Sequence, residues 1–146
     1  MTLKISTGLA NALLDTAPLK TAMTLAFIDI YSGAQPANAN AAFTGTLLAT
    51  IDVAGVGVTW GPTAAAGVLS KTVAETWQEA AAIATGTAGW FRIRLTGDAG
   101  GLDVSTYKRI DGTIATSGGD MNVGSLTVTA GAPFIISAAA ITLPLS

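Results

Sequence analysis

The 146-residue chain predicts an all-β fold, a sandwich or a barrel. Short runs rich in Val, Ile, Thr and aromatic residues recur at roughly 8–12-residue intervals. Seventeen glycines and five prolines punctuate those runs, as turns between short strands require. No repeat of fixed period is visible, which sets solenoids and propellers aside.

Residues 1–22 read as a separate piece, followed by a β domain over 23–146. "MTLKIS" is an extended arm, and Ser6 or Thr7 is placed to cap a helix that begins near Gly8. Leu9, Leu13 and Leu14 then form one apolar stripe, and Pro18 opposes continuation. A helix of two or three turns is marginal alone, so it must dock on the body of its own chain or on a neighbouring subunit.

From Met23 the texture changes. "TLAFIDIYSG" predicts a strand with Phe27, Asp29 and Tyr31 on one face and Ala26, Ile28 and Ile30 on the other. Residues 34–43 lack periodicity and read as an ordered surface loop. "TLLATIDVAG" alternates again, and "VGVTWGP" is a short strand that ends at Gly61-Pro62. Over 63–85 the alanines and the Glu75/Glu79 pair favour a helix by propensity. Thr72, Val73, Thr76 and Trp77 favour a strand, Gly67 interrupts, and the balance falls on β structure with a loop.

"GTAGWFRIRLTG" (86–97) splits by parity. Phe91, Ile93 and Leu95 share one face, which is core; Trp90, Arg92 and Arg94 share the other, an outward stripe. Asp29 on an adjacent strand, or an aromatic ring, is a partner for the two arginines. "DAGGLD" (98–103) is a turn, and "VSTYKRI" (104–110) is a strand joined through Asp111-Gly112 to "TIATSG" as a hairpin. "DMNVGSLTVTAG" and "PFIISAAAITLP" close the chain as two strands, the last apolar on both faces.

Charged residues make up only 11% of the chain, against about 25% in a typical soluble domain. Such a deficit implies a surface covered in the working state, by copies of the chain or by another protein. No window holds the 18 or more uninterrupted apolar residues of a spanning helix, and the N-terminus has no sustained apolar run of a secretory signal. The chain contains no cysteine and no histidine, which excludes disulfides, Cys/His zinc sites and every nucleophile–histidine arrangement. A net charge of −2 without a basic cluster argues against nucleic acid as the main partner.

Paired carboxylates suffice for a glycosidase, and the acids are Asp15, Asp29, Asp52, Glu75, Glu79, Asp98, Asp103, Asp111 and Asp120. Several stand beside glycine in apparent turns, where aspartate bonds to its own backbone. Asp98 and Asp103, set around two glycines, suggest a calcium loop, although their spacing matches neither an EF-hand loop nor a Gly-rich nonapeptide repeat, and "AGVGVTWG" lacks the lysine and helix of a phosphate loop. Trp60, Trp77, Trp90, Tyr31 and Tyr107 offer a sugar-stacking platform, with buried packing as the plainer use of each. Catalytic residues, metal and cofactors are therefore expected to be absent.

Two segments, "FIDIYSGAQPANANAAFTGTLLATI" (27–51) and "GTAGWFRI" (86–93), resemble small structural proteins from the virion gene modules of tailed bacteriophages, capsid decoration (cement) proteins above all. The resemblance implies a jelly-roll-like β-sandwich with a short N-terminal arm, made in the bacterial host cytoplasm and sited on the virion capsid surface. It further implies the major capsid protein and a second or third copy of itself as partners, and no cofactor, small-molecule substrate, nucleic acid or membrane. A neck, tail or fibre component, or a carbohydrate-binding module, is the alternative. The interface is expected on the arm (Thr2, Leu3, Ile5, Leu9, Leu13), the Trp90/Arg92/Arg94 face and the closing strand (Phe134, Ile136, Ile141). Deleting residues 1–14 is expected to leave a folded domain unable to coat shells.

Overall fold

Alternation along Gly86–Arg94 builds the centre of the molecule. In the computed structural model, which describes residues 3–61 and 64–142, strands hold 38% of the chain and helices 9%. The strands are β1 (Lys4–Ile5), β2 (Phe27–Ser32), β3 (Leu47–Ile51), β4 (Val68–Ser70), β5 (Trp77–Glu79) and β6 (Gly86–Arg94). They continue with β7 (Arg109–Ala115), β8 (Met121–Asn122), β9 (Thr127–Val128), β10 (Phe134–Ile136) and β11 (Ala138–Thr142). The helices are α1 (Thr7–Asp15) and α2 (Leu19–Ala22). Nine strands form one sheet with the main path β3-β2-β6-β7-β8-β11-β4, β1 lying on β7 and β9 on β6. The sheet is mixed, because β7 and β8 run parallel. The second sheet, β5 with β10, is tied to β3 by reciprocal backbone bonds between Asp52 and Gln78. The all-β class read from the sequence is the class observed. No helix among the described residues is long and apolar enough to cross a membrane.

The register fixes two faces. Ile93 lies opposite Ile28 and Ile110, and Phe91 opposite Ile30 and Gly112. This face packs on Leu9, Trp60, Trp77, Val128, Phe134 and Ile136 to make the apolar core. On the other face Arg92 lies between Asp29 and Asp111, and Trp90 beside Tyr31.

The arm is part of the body. Ser6 caps α1, its Oγ accepting from Leu9 N at 3.2 Å, and the same hydroxyl accepts from Arg109 N and donates to the Tyr107 carbonyl. Leu9 and Ala12 carry the helix's buried face, whereas Leu14 points out at 88% exposure. Removing residues 1–14 therefore strips a core leucine and a buried cap, so truncation perturbs the fold and not a surface alone. Thr2 and Leu143 lie outside the described residues.

Four strand assignments need correction, one of them "DMNVGSLTVTAG", which is not one strand but β8 beside β7 and β11 and β9 beside β6. Asp111-Gly112 is not a turn but the middle of β7, and residues 104–108 are loop. Gly112 stands there because Phe91 lies across from it: a Cβ on Gly112 would sit 2.5 Å from Phe91 Cζ. Gly112→Ala is expected to destabilise by about 1–3 kcal/mol through overpacking, read as a lower urea midpoint. In "VGVTWGP" the described residues 56–61 make only isolated bridges, Ala26 with Val58 and Trp60 with Lys71. The closing apolar run is two strands, broken at Ser137, and each alternates buried with exposed residues: Ile135 is half exposed between buried Phe134 and Ile136. The ambiguous 63–85 region holds β4 and β5 and, among its described residues, no helix.

Candidate functional site

The Trp90/Arg92/Arg94 stripe is the place where the molecule concentrates its ionic groups, and it does not face solvent. Trp90 and Arg92 are completely buried, and the Arg94 side chain is 16% exposed. Parity placed the three residues together correctly; their outward direction is overturned. The connections 33–46, between β2 and β3, and 95–108, between β6 and β7, lie over this face and cover it.

Beneath that cover three arginine–aspartate pairs sit side by side. Arg92 Nε and Nη2 donate to the two carboxylate oxygens of Asp111 at 2.8 and 2.7 Å. Arg94 Nε and Nη2 reach Asp29 at 2.5 and 3.1 Å, the pairing anticipated from the alternation. Arg109 Nε and Nη2 reach Asp98 at 2.5 and 2.7 Å. Such two-pronged contacts suit the planar guanidinium and hold both partners in fixed orientation. The remaining arginine donors go to the cover. Arg92 Nη1 meets the Gly100 carbonyl, and Arg109 Nη1 meets the carbonyls of Asn40, Ala41 and Leu102.

Aromatic rings line the same layer. Tyr31 stacks between Phe43 and Trp90, with centroids 4.9 and 4.5 Å away, and the Arg92 guanidinium lies 5.4 Å from the Trp90 ring. The Tyr31 hydroxyl donates to Asp29 at 3.2 Å; burial and that carboxylate together hold it well above the usual tyrosine range. Burial pushes the Asp111 carboxyl up against the pull of Arg92. Burial also acts to raise Asp98, but hydrogen bonds from Arg109 and Gly100 and the arginine charges outweigh it and hold that carboxyl below its ordinary range.

The ionic groups of this layer bind one another. Each of its three carboxylates is occupied by a guanidinium, and among the described residues no buried side-chain nitrogen or oxygen lacks a partner. Elsewhere, Glu75 accepts from Thr59 N, Thr59 Oγ1 and Trp77 Nε1, and Asp120 accepts from Thr113. Asp98, weighed as half of a calcium loop, is instead the anchor of Arg109, and Asp103 stands apart as a loop residue. Among the described residues no three His, Cys, Asp or Glu side chains cluster as a metal site would need. Trp60, Trp77, Trp90 and Tyr31 are all buried, so no platform of exposed indoles is formed.

The other expected interface residues do not meet on one surface. Ile5 is exposed, Leu3 and Leu13 are partly buried against the core, and Leu9, Phe134, Ile136 and Ile141 are interior. An open groove of about 720 Å³ crosses the β8-β11-β4 region, floored by Ala138 and Ala140 and edged by Lys71, Thr113 and Asn122. Sequence reading missed Asp98, Arg109 and Asp111 as members of the ionic layer. The signal for two of them was present, since Arg109 and Asp111 stand two apart like Arg92 and Arg94, which is the spacing of one strand face. No protein-family model matches the chain, and no curated protein or solved structure compared with it matches either.

Proposed function

We propose that the chain is a non-catalytic structural component of a virus particle, a capsid decoration protein that binds the outside of a tailed-phage head and ties neighbouring major capsid protein subunits together. The observation that carries this reading is where the charge has gone. Only 11% of the residues are charged, and Asp29, Arg92, Asp98, Arg109 and Asp111 are buried in the ionic layer. The exterior is left poorer still in charge, while Val73 and Leu14 stand 97% and 88% exposed and Leu102 63%. A solitary soluble domain keeps more charge outside; a subunit that works covered needs less. The jelly-roll-like sandwich belongs to the same proposal, supported by Trp77, Phe134 and Ile136 of the β5–β10 sheet joining the core of the main sheet. Self-association into dimers or trimers on the shell is part of it too.

The test is sedimentation of purified protein with phage heads assembled without it. Binding is expected to saturate at a fixed number of copies per head and to raise the temperature at which heads release DNA. Val73→Lys and Leu14→Lys, made singly, are expected to keep stability within about 0.5 kcal/mol, and at least one of them to weaken head binding. Protein that stays in the supernatant with heads, or that pellets only with necks, tails or fibres, overturns the decoration reading.

A further inference from the structure

The two faces of the main sheet are held by different forces. Beneath it, Ile28, Ile30, Phe91, Ile93 and Ile110 pack on apolar neighbours. Above it, the cover is fastened mainly through polar atoms. Arg109 alone reaches Asp98 and Leu102 in one connection and Asn40 and Ala41 in the other. The two connections also bind each other, Phe43 N to the Gly100 carbonyl and Val104 N to the Asn40 carbonyl. The arm joins the same assembly. Thr7 N and Oγ1 bond the Asn40 side chain, Lys4 Nζ donates to the Pro36 carbonyl, and Ser6 Oγ donates to the Tyr107 carbonyl.

We propose that residues 4–7, 36–46 and 97–108 form a single charge-latched cover, which releases as one unit and leaves the apolar half of the sheet paired when the Asp98–Arg109 contact is broken. Arg92 and Arg94 from β6 act on Asp98, Asp111 from β7 acts on Arg109, and the Tyr107 ring lies under the Arg109 guanidinium; Asp29 and Tyr31 from β2 act on Arg94, and Lys4 from the arm acts on Asp111. None of the carboxylates among them can replace Asp98, because Asp111 is held in two bonds by Arg92 and Asp29 in two by Arg94. A neutral residue 98 would leave the Arg109 cation buried with carbonyl dipoles and the Tyr107 ring but no bonded carboxylate, which is costly. The cover's aromatic hold on the sheet is Phe43 against Tyr31, with Phe43 37% exposed, a small apolar contact to oppose release. The carboxyl of Asp98 ionises below the ordinary carboxylate range, so its contribution is complete above the unfolded-chain value. That contribution is lost as the pH falls through the lower, folded value, and strong acid is thus a natural means of release.

Hydrogen exchange read by mass spectrometry on the full chain tests this. At neutral pH, Asp98→Asn is expected to speed exchange of the cover amides by ~100-fold or more, with amides 28–31 and 90–93 changed by less than about threefold. Asp103→Asn, an acid outside the layer, is expected to change neither set. If Asp98→Asn leaves the cover's exchange unchanged, or speeds both sets equally, the latch is refuted. Should Asp98→Asn fail to fold, the unaltered protein stepped into acid gives the same reading after correction for intrinsic rates. Release of the cover before β2 and β6 supports the latch, and one joint transition refutes it.

Discussion

Asp111→Ala is expected to lower stability by about 3–5 kcal/mol, the largest loss from any single change in the ionic layer. Both side chains of the Arg92–Asp111 pair are 0% exposed, so the variant would leave a guanidinium in the interior with no bonded carboxylate, held by the Gly100 carbonyl and the Trp90 ring. The pair is costly to break without being strongly stabilising as a whole. Burial pushes the Asp111 carboxyl up despite Arg92, which means that desolvation offsets much of the attraction. A double variant, Arg92→Met with Asp111→Leu, is therefore expected to lose less than Asp111→Ala alone. Urea unfolding of Arg92→Met, Asp111→Leu and the double closes the cycle. A double variant as unstable as the sum of those two singles would show that the two side chains are not coupled and would overturn this account of the pair.

Trp77→Ala is expected to cost a similar amount, about 3–5 kcal/mol, by a different route. The indole is fully buried, meets Trp60 edge to face at 5.1 Å and donates Nε1–H to Glu75 at 2.7 Å. Lys71 adds its ammonium 5.5 Å from the ring centre. Trp77 is also where β5 meets β10, opposite Ile136. Its loss opens a cavity and takes one of the three donors from Glu75, and a fall in Tm of roughly 10 °C is expected in a chain of this size. Trp77→Phe keeps most of the ring but not the Nε1 donor, and is expected to lose about half as much. Thermal unfolding followed by near-ultraviolet dichroism of the tryptophans measures both. Equal losses for Ala and Phe would assign the effect to the Glu75 hydrogen bond instead of the packing.

How much of this was legible in the sequence follows from what periodicity can encode. Alternation says which side chains share a face, and it sorted Phe91 and Ile93 from Trp90, Arg92 and Arg94 correctly. It does not say what covers a face. The cover comes from 33–46 and 95–108, connections without a period, and their polar attachments to Arg109 leave no mark in a hydropathy pattern. Charged residues on a strand normally mark its wet side, and that rule fails when every charge has a partner under a loop. Asp111-Gly112 misled for a related reason: the dipeptide that most favours a hairpin turn is here a strand pair selected by the ring of Phe91. The Ser6 cap and the Pro18 stop were readable because each depends on local chemistry alone; over 64–85 local propensity was divided, and β4 and β5 are made by pairing with β11 and β10. The members of the ionic layer contributed by other segments, Asp98 above all, were not.

The docking of the arm dictates an order of events during synthesis. Ser6 bonds Tyr107 and Arg109, residues 101 and 103 positions later, and Lys4 pairs with Asp111. The first strand to leave the ribosome thus has no place to lie until about three-quarters of the chain has been made. Until then Leu9 lacks the finished core that buries it, and α1 is too short to persist alone. The arm must wait for β7 before it can settle, and nascent chains that end before residue 109 should expose it to proteases and chaperones.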